Sequence, residues 1–128
     1  MYPSRRRIAV VDDESSVSRA IQRLIRSAGM DVDVFSSGTE FLLTVADRPP
    51  DCVVLDVHMP ELTGPDVQAR LAQLGSTVPV VIITGRCVPE ARARAISAGA
   101  RAYLLKPVDD RVLLGAIADA VLRSQRPA

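Results

Sequence analysis

Short apolar runs alternate with longer segments of helical spacing along this chain. The runs at 7–11, 31–35, 52–56, 78–84 and 102–105 have strand length, and all but the last, which is aromatic and leucine-rich, carry β-branched residues. After the first run, Val17, Ala20, Ile21, Leu24, Ile25 and Ala28 recur at the 3.6-residue period, with Arg19, Arg23 and Arg26 on the wet side. Ser15 or Ser16 is the expected cap of this helix, and Gly29 its left-handed stop. Further helices are expected at about 39–46, 65–74, 89–98 and 109–123. Pro49-Pro50 and Gly99 end two of them, and Pro65 sits in the first turn of another. The last has apolar positions Val112, Leu113, Ala116, Ile117, Ala120 and Val121. Pro79 is tolerable near the start of its strand. Met59-Pro60-Glu61-Leu62-Thr63-Gly64 is punctuated as a loop.

Five strand–helix pairs predict an α/β fold, a parallel sheet covered by helices on both faces. Right-handed crossovers put every strand C-terminus on one edge, where ligands of such folds bind. The chemistry-bearing residues lie there. Asp12 and Asp13 follow the first run, Asp56 closes the third, Thr84 the fourth, and Lys106 follows the fifth. Two carboxylates at about 4 Å repel by roughly 4 kcal/mol at an effective dielectric of 20. A hard divalent cation relieves that repulsion, and Mg2+ keeps room for a phosphate oxygen. A carboxylate can attack phosphorus, Lys106 can supply a point charge and Thr84 one hydroxyl hydrogen bond. Taken alone, Asp12-Asp13 could simply cap the following helix. Asp56 on the matching strand end tips the balance towards a binding site.

Bulk properties narrow the picture. With 128 residues and 48% hydrophobic content, the chain fits one domain with a proper core. Aromatics are 3%, so aliphatic residues must fill it. A net charge of +1 argues against wholesale nucleic-acid binding, and Arg5–Arg7 reads as a solvated lead-in. No stretch approaches the roughly 18 apolar residues of a membrane span, and the N-terminus is unlike a signal peptide, so a cytoplasmic protein is expected. Cys52 and Cys87 lack metal or disulfide spacing, and a silent thiol is expected at Cys87. The tail at 124–128 is expected to be loose.

The stretches Val10-Val11-Asp12-Asp13-Glu14, Leu55-Asp56-Val57-His58-Met59-Pro60, Gly64, Ile83-Thr84-Gly85, Gly99-Ala100 and Leu105-Lys106-Pro107 together resemble a response-regulator receiver domain. The resemblance spans about 6–123, and Leu55 to Gly64 with Ile82-Ile83-Thr84-Gly85 is most similar to receivers of nitrogen-fixation-type transcription regulators. It implies a doubly wound, flavodoxin-like five-stranded sheet of order 2-1-3-4-5 and one receiver domain over 1–128 without an effector domain. It implies that Asp56 takes a phosphoryl group from a sensor histidine kinase or phosphotransfer protein. Asp13 and Asp56 would bind Mg2+ directly, Asp12 through water, and the backbone carbonyl of His58 would complete the protein ligands. Thr84 and Lys106 would hold phosphoryl oxygens, Tyr103 would be the switch aromatic, and the Lys106–Pro107 bond would be cis. Output would run through the face of the fourth helix, fifth strand and fifth helix, to a downstream protein or a second copy in a homodimer. Such a domain promotes only its own phosphorylation and dephosphorylation and is not an enzyme for an outside substrate.

His58, two residues after Asp56, stands where small polar residues or arginine are common in the family, and with Arg86, two residues after Thr84, it flanks the approach of a hydrolytic water, so the two are expected to set phosphoryl lifetime. Arg86, Arg92 and Arg94 make the fourth-helix region basic. An aspartate-nucleophile phosphatase would need a second aspartate where His58 stands. A flavodoxin-like nucleotide binder would need a Ser/Thr/Gly-rich loop where Asp12-Asp13-Glu14 stands. The third alternative is a receiver-like interaction module that is not phosphorylated.

Overall fold

The computed structural model describes residues 5–86 and 88–124. Cys87 and the tail beyond 124 therefore lie outside the described residues, as do the expectations made for them. The elements alternate as β1 (Arg7–Val11), α1 (Ser15–Ser27), β2 (Asp31–Phe35), α2 (Gly38–Val45), β3 (Cys52–Asp56), α3 (Gly64–Gln73), β4 (Val80–Thr84), α4 (Pro89–Ser97), β5 (Ala102–Leu105) and α5 (Asp110–Ser124). All strands are parallel, in the order β2-β1-β3-β4-β5. This is the expected doubly wound arrangement.

Every residue of β3 and β4 is buried, as a sheet covered on both faces requires. Strand alternation feeds two cores. Ala9, Val11, Leu55 and Ile82 pack against Phe41, Val67, Leu71 and Ala95 of α2, α3 and α4. Ile8, Val10, Val54, Val81 and Ile83 pack against Ile21, Ile25, Leu113 and Ile117 of α1 and α5. Phe35 and Phe41, both of the chain's phenylalanines, meet edge to face at 5.6 Å and close the β2 side.

Several local expectations are corrected. Neither Ser15 nor Ser16 caps α1. Glu14 is the N-cap residue, with no side-chain cap bond, and Asp12 Oδ1 instead accepts the Glu14 N–H at 2.9 Å. Ala20 and Ala28 of the apolar stripe are exposed, whereas Ser18 is buried because its hydroxyl donates back to the Ser15 carbonyl. Val112 faces solvent. β4 begins at Val80 because Pro79 has no N–H to give, although its carbonyl accepts from Val53 at 2.9 Å. α5 starts one residue late because Asp109 caps it, accepting the N–H groups of Arg111 and Val112. α2 and α3 each start one residue early, at glycines.

The arginine lead-in is also tied down. Arg7 donates to Asp33 at 2.8 Å and to the Arg48 carbonyl at 2.6 Å, while Arg5 and Arg6 pair with Asp31 and Asp51. Arg7 thus clasps β1 to β2 and to the segment entering β3.

The loop after β3 is held from both ends. Thr63 and Asp66 form a reciprocal capping box at α3. The hydrogen bonds from Thr63 hold the exposed Asp66 carboxyl below its ordinary value. Within the loop, Glu61 takes φ +67°, a conformation that favours glycine. Glu61→Gly is expected to stabilise the fold by about 0.5–1 kcal/mol, the strain relieved less the entropy lost. Urea denaturation checks this, and a midpoint that falls would contradict it.

Candidate functional site

The parallel register carries the polar groups to one edge. Asp12 follows β1, and its N–H is held by the Phe35 carbonyl at 3.1 Å. Asp56 ends β3, the neighbour of β1, so the two carboxylates stand side by side. Both are nearly sealed from water, Asp12 at 1% exposure and Asp56 at 3%. Carboxylate oxygens of Asp12, Asp13 and Asp56 lie within 4.8 Å of one another. Lys106 reaches this cluster from the end of β5, its Nζ 2.9 Å from Asp12 Oδ2 and 3.2 Å from Asp56 Oδ1. Its backbone N–H donates to the Thr84 carbonyl at 2.7 Å, and the Lys106–Pro107 bond is cis as expected.

The electrostatics follow from this crowding. Burial and then the charge of Asp12 push the Asp56 carboxyl above its ordinary value, against the opposing pull of Lys106. Burial alone would lower Lys106, but hydrogen bonding and charge from Asp12 and Asp56 outweigh it and raise the ammonium. Among the described residues, Lys106 lies within 4 Å of Asp12, Glu14 and Asp56, and Asp13 joins the cluster, so carboxylates outnumber this cation. The donor set is entirely carboxylate oxygen, which suits a hard divalent cation.

The β3–α3 loop sets where Asp56 stands. The Gly64 N–H donates to the Val57 carbonyl at 2.9 Å. A Cβ on Gly64 would lie 2.9 Å from the Asp56 carbonyl oxygen and 3.0 Å from the Val57 Cα, so only glycine lets α3 begin this close.

An open recess of about 390 Å³ lies over Asp56, lined by Glu14, His58, Gly85, Arg86 and Lys106. His58 and Arg86 are both exposed at its rim. Glu14 was assigned no role from sequence, yet its carboxylate lies 3.8 Å from Lys106. Its signal was its place directly after the aspartate pair.

Thr84 and Tyr103 are near but not in the cluster. The Thr84 side chain is fully buried, and its hydroxyl donates to the Arg86 carbonyl and accepts the Arg86 N–H, each at 3.2 Å. It closes its own turn here. Tyr103 pairs with Ile82 across the sheet and is half-buried on the face shared by Ile82 and Thr84. Cys52 is far from this chemistry. Burial, then Asp51, pushes its thiol up to about 12, which leaves it inert.

The family model of the response regulator receiver domain matches residues 8–118. The chain belongs to that family. This receiver is 43% identical over 114 residues to the response regulator protein TmoT of Ectopseudomonas mendocina, covering 89% of this chain and 52% of that protein. Nodulation protein W of Bradyrhizobium diazoefficiens is 37% identical over 119 residues, covering 93% of this chain and 52% of that protein. The receiver therefore spans about half the length of the curated relatives it matches. Among solved structures, a response regulator receiver protein from Burkholderia phymatum is 45% identical with a TM-score of 0.80, covering 91% of this chain and 95% of that one. A receiver domain protein from Methanospirillum hungatei, 24% identical over 95% of this chain and 98% of that one, shares the fold with a TM-score of 0.88. No helix among the receiver's described residues is long and apolar enough to cross a membrane.

Proposed function

We propose that this receiver accepts a phosphoryl group on Asp56 from a phosphohistidine of a sensor kinase or phosphotransfer protein, and that the modification switches a protein-binding face. The observation that carries the reading is the Asp56 carboxylate, 3% exposed, 3.2 Å from Lys106 and clustered with two further carboxylates. A sequestered carboxylate with a cation beside it can act as a nucleophile whose developing phosphoryl charge is neutralised locally.

In the transfer, an Asp56 carboxylate oxygen attacks phosphorus, the new O–P bond forms and the N–P bond to the donor imidazole breaks. Asp13 and Asp56 would hold Mg2+, with Asp12 behind them and the His58 carbonyl as a further oxygen ligand. When bound, that ion supplies positive charge to the phosphoryl oxygens. Lys106 supplies the fixed cation on the other side. Thr84 leaves its Arg86 turn to donate to a phosphoryl oxygen, and Tyr103, on the same face, moves into the space behind it. This is a two-state element biased by a local charge. The receiver acts as one unit over its core of about 6–123.

The face built from α4, β5 and α5 suits the output. Ile96, Leu105 and Val112 are exposed apolar residues there, beside basic Arg92 and Arg94 on α4. A downstream protein is the proposed occupant. A second copy is the competing one, and an unchanged monomer mass by light scattering with beryllium fluoride and Mg2+ would exclude it.

The direct test is acetyl phosphate with Mg2+, read by intact mass. One added phosphate is expected, and none from any donor would leave only an unphosphorylated interaction module. Decay of that species tests the rim. His58→Asn and Arg86→Ala are each expected to change the phosphoryl half-life about threefold or more, equivalent to roughly 0.7 kcal/mol in the hydrolysis barrier. Half-lives equal to that of the unmodified chain would remove both residues from lifetime control.

A further inference from the structure

α4 is attached to the molecule unevenly. Ala95 is its one buried residue. The Ala95 carbonyl accepts two hydrogen bonds, from the Ala100 N–H at 3.0 Å and from the Gln68 side-chain Nε2 of α3 at 3.1 Å. The Gly99 N–H returns to the Ile96 carbonyl at 3.0 Å with Gly99 at φ +105°, which completes a Schellman turn. Ala100, the next residue, is buried. The C-terminal end of α4 is therefore fastened by a cap, by apolar burial and by a hydrogen bond from another helix.

Among the described residues, the other end has none of these. Val88, the N-cap residue, gives no side-chain hydrogen bond and is 39% exposed, and Pro89 brings no N–H. In sequence this end comes two residues after Arg86, which lines the Asp56 recess and is held by the Thr84 hydroxyl.

Gln68 itself calls for an explanation. It is 6% exposed, and a buried amide is worth keeping only when its hydrogen bonds are made. Its donor spans from α3 to α4 rather than serving its own helix. An open recess of about 180 Å³, lined by Gln68, Leu71, Ala98 and Gly99 among others, leaves room beside the turn for rotation.

We propose that Gln68 is the pivot pin of α4: its amide holds the C-terminal end at Ala95, so that α4 moves by swinging its N-terminal end next to the recess. The proposal rests on the phosphoacceptor reading only for the event that drives the swing. Gln68 is a positioning residue. It touches none of the reacting groups.

The test is residue-resolved hydrogen exchange on the full chain and on Gln68→Met, each with and without beryllium fluoride and Mg2+. Methionine keeps the length and removes the donor. In the resting state the variant is expected to exchange the Ala98, Gly99 and Ala100 amides about tenfold faster, the worth of one buried hydrogen bond, with α1 amides changed less than about twofold. In the unmodified chain, beryllium fluoride is expected to change exchange at Arg92, Ala93 and Arg94 by about fivefold or more while leaving Ala98–Ala100 within about twofold. Gln68→Glu, which keeps the shape but puts acceptor oxygens towards the carbonyl, is expected to reproduce the methionine result if that variant folds poorly.

Unchanged exchange at Ala98–Ala100 in the variants, or a uniform acceleration of every amide, overturns the pin. A fluoride-induced change as large at Ala98–Ala100 as at Arg92–Arg94 overturns the swing. If the unmodified chain binds no beryllium fluoride at all, the phosphoacceptor reading fails, while the resting-state comparison still decides the pin.

Discussion

Asp56→Asn is expected to take no phosphate from acetyl phosphate and Mg2+ and, in the same preparation, to melt at a higher temperature than the unmodified chain. The first effect follows from removing the nucleophile. The second follows from the cost of the charge. Burial and the neighbouring Asp12 raise the Asp56 carboxyl above the ordinary 3.8 despite Lys106. A carboxyl with a raised folded value binds its proton more tightly folded than unfolded. Its ionisation therefore opposes folding once the pH exceeds the folded value, and the penalty fades as pH falls through that value towards 3.8. Removing the charge should add about 1 kcal/mol at neutral pH without divalent ions, or about 3–5 °C in Tm. The gap should narrow as melts are repeated down to about pH 4. Mg2+ should raise the Tm of the unmodified chain more than that of the variant. Phosphate uptake by Asp56→Asn equal to that of the unmodified chain would place the acceptor elsewhere. A lower Tm than the parent across the pH range would refute the electrostatic account.

Lys106→Met should do the opposite to stability. Among the described residues, Lys106 is the cation within 4 Å of both Asp12 and Asp56. Without it two buried carboxylates face each other with no countercharge. Breaking a buried pair costs about 3–5 kcal/mol. The Lys106 side chain is 15% exposed, so solvent screening brings the expected loss to about 2 kcal/mol, or roughly 6–10 °C in Tm. Mg2+ at millimolar levels should return part of that loss, because the ion binds a more negative site and stabilises by mass action. It should not return phosphorylation, which is expected to slow because the cation beside the phosphoryl oxygens is gone. Thermal melts with and without Mg2+, beside a time course by intact mass, separate the two effects. A variant as stable and as quickly phosphorylated as the parent would show that Lys106 merely fills space.

The local features that sequence reasoning missed share a cause. Ser15 and Ser16 are good capping residues by type, yet Asp12 takes the Glu14 N–H because β1 delivers it to that place. Ala20 and Ala28 fit an apolar stripe, but α1 buries only the narrow line Ser18, Ile21 and Ile25 against the sheet. Arg5 and Arg6 are solvated as expected, but Arg7 is largely covered, because its acidic partner lies in β2, distant along the chain. Gln68 left no trace in any local pattern, since its partner is on the next helix, α4.

Chain order alone determined the five strand–helix alternations, the parallel sheet and the edge on which Asp12, Asp13, Asp56, Thr84 and Lys106 collect. These follow from periodicity and from the handedness of crossovers, both of which act over a few residues or a single connection. Tertiary structure decided that Lys106 stands between Asp12 and Asp56, that Thr84 turns its hydroxyl to Arg86, that Glu14 joins the recess and that α4 is fastened at one end. Apart from the Thr84–Arg86 turn, which is local, those facts depend on which strands become neighbours and on distances of about 3 Å between groups far apart in sequence, and such distances exist only after packing has removed the alternatives.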